Sequence, residues 1–146
     1  MKAQIYILLF ALFLSFGCKK STKVDVITEG NYTGVLVVTN SVKSVPEITP
    51  ISITLKDGKF NITASGNLKP TGGKGTYTLK NGISNFVDEG VWTADFDWGR
   101  ILNGEYDIKS SGVDLTLKKR PITQTHVDPA TSYATLSYEY ILKRAD

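Results

Sequence analysis

Between Gly30 and Arg144 the apolar residues return at every second position, in short runs closed by turn dipeptides. Alternation puts successive side chains on opposite faces of an extended chain, so the pattern predicts half-buried β-strands. The stretch "ISITLKDGKFNITASG", residues 51–66, is the clearest case. Ile51, Ile53 and Leu55 share one face, Asp57-Gly58 reverses the chain, and Phe60, Ile62 and Ala64 return on a single face. Asp-Gly suits a two-residue type I′ hairpin turn, whose central residues both need positive φ. Asn81-Gly82 repeats the device after "GTYTLK". "VWTADFDWG" sets Trp92, Ala94, Phe96 and Trp98 against Thr93, Asp95 and Asp97. "LNGEYDIKSSGVDLTLKKR" turns Leu102, Gly104, Tyr106 and Ile108 inward, breaks at Ser111-Gly112, and continues inward with Leu115 and Leu117. In "YATLSYEYILKR", Leu136, Tyr138, Tyr140 and Leu142 oppose Ser137, Glu139 and Ile141.

Eight or nine strands follow from this count, with no amphipathic helix of useful length, so the expected class is all-β. Strands joined in sequence order by short hairpins form an antiparallel meander, which loses its exposed edges by closing into a barrel. A two-sheet β-sandwich is the alternative. With nine strands, the loops at 39–50 and 66–74 fall at one end, as a mouth, and Pro121–Ser132 falls at the other.

Ahead of the strands, "MKAQ" carries one positive charge at Lys2, and Ile5–Phe16 is uncharged. A membrane-crossing helix needs roughly 20 apolar residues, more than this run supplies before Gly17, Cys18 and the lysines at 19, 20 and 23. The layout is that of a signal peptide. It resembles the lipoprotein signals of Bacteroidota, with Gly17 before the cysteine and Leu14 where the usual leucine lies one place nearer. That resemblance implies cleavage after residue 17, diacylglycerol on the Cys18 sulfur and a further acyl chain, such as palmitate, on its amine. The alternative is an ordinary secretory leader cut nearby, or an uncleaved anchor, with Cys18 incidental. Residues 1–17 are then the signal, 18–29 a lipidated cysteine with a flexible tether, and 30–146 the domain. The tether is basic, whereas surface-exported lipoproteins of that group carry an acidic run there. This favours the periplasmic side of the outer membrane over the cell surface. A single cysteine allows no internal disulfide.

"GNYTG" (30–34), "GVWTADFDWG" (90–99), "LNGEYDI" (102–108) and "YEYILKR" (138–144) together resemble the lipocalin-like, calycin-type small lipoproteins. Tyr32 stands where that family's Gly-x-Trp opening has tryptophan. The resemblance covers about Gly30 to Arg144. It implies a barrel closed at its base by Lys143 or Arg144 packed over Tyr32 in a cation–π contact. The plainer reading leaves Tyr32 as a core aromatic and both cations in water.

Composition narrows the function classes. The 146 residues suit one domain. Seventeen Lys and Arg against fourteen Asp and Glu, intermixed along the chain, are no footprint for nucleic acid. Asp95 and Asp97, with Asp88, Glu89, Glu105 and Asp107, are the best acidic group, and paired carboxylates can serve glycoside hydrolysis. Alternation turns them away from the aromatic face and towards water. His126, with Asp128 two residues on, lacks the partners for a triad or metal site. "KPTGGKGTY" lacks the Walker spacing and leads into a strand. No enzyme activity, metal or cofactor is expected. What remains is the aromatic set Tyr77, Phe86, Trp92, Phe96, Trp98, Tyr106, Tyr138 and Tyr140, of which Trp92, Phe96, Tyr106 and Tyr138 are the expected lining for a small hydrophobic ligand if the barrel holds a cavity. If those rings fill the core instead, the expectation is a protein-interaction or inhibitor module of the cell envelope. Oligomeric state is not readable from the pattern.

Overall fold

The structure, a computed structural model, describes residues 26–41, 43–64, 72–92, 98–121 and 136–145. Eight strands follow one another: β1 (Gly30–Asn40), β2 (Glu47–Lys56), β3 (Lys59–Ala64), β4 (Gly73–Lys80), β5 (Ile83–Asp88), β6 (Gly104–Ser111), β7 (Asp114–Lys119) and β8 (Leu136–Arg144). Each pairs antiparallel with the next, and β8 returns to pair with β1, closing a barrel rather than stacking two sheets. The turns form where backbone chemistry demands them. Asp57 and Gly58 have φ of 50° and 69°, and Asn81 and Gly82 have 53° and 76°, as a type I′ turn requires.

The described residues at either end of 91–99 depart from the expected strand. Val91 and Trp92 are irregular, Trp98–Arg100 forms one turn of 3-10 helix, and Phe96 lies outside the described residues. The cause is local. The Asp88 carboxylate at the end of β5 accepts the Gly90 N–H at 3.1 Å, an Asx-type turn, and the Trp92 indole N–H binds the same oxygen. Together these bend the chain off the sheet. With no strand between β5 and β6 among the described residues, Pro121 falls at the end opposite to the one expected. With eight strands, the three tight hairpins at 57–58, 81–82 and 112–113 share one end, and the longer β1–β2, β3–β4, β5–β6 and β7–β8 connections all leave from the other.

The inward faces match the period-two reading. Leu36, Ile53, Leu55, Leu102, Leu115 and Leu117 are fully enclosed. A continuous run of rings occupies the interior. Tyr77 stacks on Phe86 at 5.5 Å, while Phe60 and Tyr106 meet Phe86 edge-on at 5.4 and 5.5 Å, and Tyr106 meets Tyr140 edge-on at 5.9 Å. These separations are favourable for edge and offset contacts between aromatic quadrupoles. The two buried hydroxyls are satisfied, Tyr106 donating to the Ile101 carbonyl at 3.3 Å and Tyr140 to the Arg100 carbonyl at 3.1 Å.

The hairpin end is covered by the chain ahead of β1. Ile27 is buried in the core, the Tyr32 hydroxyl donates to the Thr28 carbonyl at 2.5 Å, and Glu29 accepts the Asp57 N–H at 2.8 Å. Residues 27–29 therefore belong to the barrel and not to a free tether. Tyr32 is a core residue directly across the seam from Arg144, whose aliphatic stem lies along Gly30. Among the described residues, cation–π contacts form at the far end, where the Lys119 ammonium sits 5.8 Å from the Tyr106 ring centre and 5.5 Å from that of Tyr138.

Burial raises the pKa of both Tyr106 and Tyr140 well above the ordinary tyrosine value. Unfolded tyrosines lose their protons near pH 10, so above that pH the native state binds more protons than the unfolded one and stability falls. Their contribution is complete below about pH 10 and drains away at about 1.4 kcal/mol per pH unit for each group. Urea denaturation at stepped pH from 9 upward should show this loss, and Tyr140→Phe should flatten the slope by one group.

Candidate ligand-binding site

A cleft of about 1000 Å³ opens at the loop end of the barrel. One wall is the β5–β6 connection. Its two ends are tied by the Asp88 N–H donating to Asn103 Oδ1 at 3.1 Å, and Glu89 N–H donates to the Lys74 carbonyl at 2.8 Å. Within this connection the 3-10 turn points three residues in three directions. Trp98 stands out over the cleft, 56% exposed. Gly99 lies flat against the Tyr138 ring, where a side chain would collide with it. Arg100 turns inward, is buried, and donates from Nη2 to Glu47 on β2 at 2.5 Å.

The opposite wall is β8. Along its inward face the residues emerge by steps from the core: Leu142 and Tyr140 are buried, Tyr138 is half-buried, and Leu136 is exposed at the rim. Ile101 supplies a buried apolar surface at the cleft's base. Lys119 closes the floor, its ammonium donating to the Gly99 carbonyl at 3.2 Å and resting on the Tyr106 and Tyr138 rings. The arrangement is an apolar, aromatic hollow with a fixed cation at its base. Of the acids at the rim, Asp88 holds Gly90 and Trp92, and Glu105 faces Arg120 at 3.4 Å. Asp107 faces the same arginine at 3.3 Å. Glu105 and Asp107 are exposed, as alternation predicts, and such surface pairs contribute little to stability.

Of the expected ligand-lining residues, Trp92 and Tyr138 are brought to the cleft, while Tyr106 lies beneath it in the ring stack. Phe96 is outside the described residues, as are Cys18, Asp95, Asp97, His126 and Asp128. Trp98, one of the wider set of aromatics, also lines the cleft, and Gly99, Ile101, Lys119 and Leu136 join it without being expected there. A signal for Lys119 was present, since it follows Leu115 and Leu117 at period two and so extends the inward face of β7 to the mouth. Among the described residues no group of three or more His, Cys, Asp or Glu side chains is placed to hold a metal ion. Nor is any described helix long and apolar enough to cross a membrane. Comparison of the chain with protein-family models, with curated proteins and with solved structures gave no match.

Proposed function

We propose that this is a membrane-anchored lipoprotein, tethered through Cys18 on the periplasmic side of an outer membrane, whose lipocalin-like barrel binds a small hydrophobic ligand. The binding site in this reading is the loop-end cleft and not the barrel interior. One observation carries it: a hollow of about 1000 Å³, bordered by Trp92, Trp98, Ile101 and Tyr138, above an interior already occupied by stacked rings. Pockets of this size and apolar character, with a few polar groups, are the usual form of small-molecule sites. No catalytic step is assigned.

The test is native mass spectrometry of gently purified protein, together with fluorescence titration by an apolar naphthylamine probe. A stoichiometric adduct lost on denaturation, or saturable probe binding, is expected. Tyr138→Ala and Trp98→Ala should each weaken probe binding about tenfold, on the order of 1.4 kcal/mol. Unchanged binding in both variants would reject the cleft. The rival reading, a protein-interaction or inhibitor module of the envelope, draws on Val45 and Val91, which stand exposed at the same end. Under that reading Val91→Asp abolishes partner crosslinking while probe binding is weak and insensitive to Tyr138.

A further inference from the structure

The outer face of a barrel meets water, and around most of this one it is polar, with Lys59, Asn61 and Thr63 on β3 and Glu105, Asp107 and Lys109 on β6. Across β8, β1 and β2 it is not. Strand register sets Ile141 beside Val35 and Val35 beside Pro50, and Val37 beside Ile48. Ile48 and Ile141 are 56% and 47% exposed, large apolar side chains on a solvent-facing sheet.

The charges around this patch are ordered. On β8 the outward positions read Glu139, Ile141, Lys143, and on β7 they read Lys118, Thr116, Asp114 in the same rows. Signs are therefore opposite above and below the row through Thr116, Ile141, Val35 and Pro50. A second copy related by a two-fold axis that touches the barrel at Ile141 and runs along that row lays β8 antiparallel on its own counterpart, with β7 and β1 flanking the contact. Glu139 then faces Lys143 of the second copy, Lys118 faces its Asp114, and the apolar row meets itself. A surface complementary to its own two-fold image is what an isologous interface requires, and potentials matched across it favour the correct register over others.

We propose that the outer strip of the barrel formed by β7, β8 and β1 is the interface of a two-fold dimer of this chain, with Ile141 on the axis. The mouths then open at opposite ends, so neither cleft is obstructed, and two copies anchored in one leaflet lie with their barrel axes along the membrane. This inference does not depend on ligand binding.

Disulfide trapping of the full-length protein in its host membranes tests it. Ile141→Cys lies against its symmetry mate and should give a crosslinked dimer under mild oxidation. Thr78→Cys, exposed on β4, and the wild type report any contribution from Cys18 and chance collision. In the Ile141→Cys background, Lys143→Glu should lower the yield about tenfold, because like charges then oppose at both ends of the interface. Adding Glu139→Lys should restore it. The double change worsens both in-chain neighbour pairings, with Lys118 and with Asp114, so restoration is specific to contact between copies. Equal yields at positions 141 and 78, or a double variant no better than the single, would overturn the proposal.

Discussion

Gly34→Ala should destabilise the barrel by about 3 kcal/mol or more, at the upper end of what overpacking costs. Gly34 occupies an inward position of β1 between Tyr32 and Leu36, paired with Leu142 across the seam. A Cβ there would fall inside the contact radius of the Ile141 carbonyl oxygen, with the Leu142 Cα 2.9 Å away. Both obstacles are backbone, and that backbone belongs to the β1–β8 pairing, so relief means loosening the strands that close the barrel. Domains of this kind hold only about 5–15 kcal/mol in total. Thermal and urea denaturation should therefore show a large loss, on the order of 10 °C in Tm. Gly75 is a second such position. A Cβ there would strike the Val87 carbonyl, and the Phe60 ring lies over it at 3.0 Å, so the aromatic from β3 covers the backbone that β4 leaves bare. Ala at a hairpin-end site with open space, Gly112, should cost much less, and only through its φ of 63°. If Gly34→Ala unfolds no earlier than Gly112→Ala, the close approach at the seam is misread.

The second large effect is expected at Tyr106. Its ring touches Phe86 on one side and Tyr140 on the other, with the Lys119 ammonium above it, and it is fully enclosed. Removing it opens a cavity in the centre of the ring stack, so Tyr106→Ala should cost about 3–5 kcal/mol. Tyr106→Phe keeps the ring and loses the hydroxyl with its 3.3 Å hydrogen bond to the Ile101 carbonyl and its contacts with Tyr140 and the Asn103 backbone, so about 1–2 kcal/mol is expected. The pair separates two roles for this residue. As a core ring beneath the cleft, Tyr106 governs stability, and the Phe variant leaves probe affinity unchanged. As a ligand-lining residue, it would alter affinity when its hydroxyl is lost. Chemical denaturation and probe titration on both variants decide between them.

Much of this architecture can be read from the chain because the determinants are local. Asp57-Gly58 and Asn81-Gly82 impose positive φ on two adjacent residues, and few structures other than a tight hairpin accept that. Alternation then sets the strand faces, and Ile51, Ile53, Leu55, Phe60 and Ile62 all turn inward as it requires. Closure is different. It depends on β1 pairing with β8, residues about a hundred positions apart, and on a glycine at 34 whose role is visible only once Ile141 stands beside it. The site was legible in part for the same reason. Alternating aromatics in "VWTADFDWG" predict a strand, but the Asp88 carboxylate captures the Gly90 backbone N–H and the Trp92 indole N–H, β5 ends at Asp88, and Val91 and Trp92 leave the sheet. Of the eight or nine strands expected, eight among the described residues put every long connection at a single end, and that end is where the cleft forms. A lysine at a strand end reads as solvated from the chain alone, whereas two tyrosine rings and a carbonyl hold Lys119 at the floor of the cleft.

The central claim is that ligand binds above a filled barrel and not inside it. Amide chemical-shift mapping during titration with the naphthylamine probe tests this most directly. Shifts concentrated at Gly90, Trp92, Gly99, Lys119 and Tyr138, with Leu55, Ile62 and Leu115 unmoved, are the predicted result. Shifts centred on Leu55, Ile62 and Leu115 would place the ligand within the barrel and contradict it.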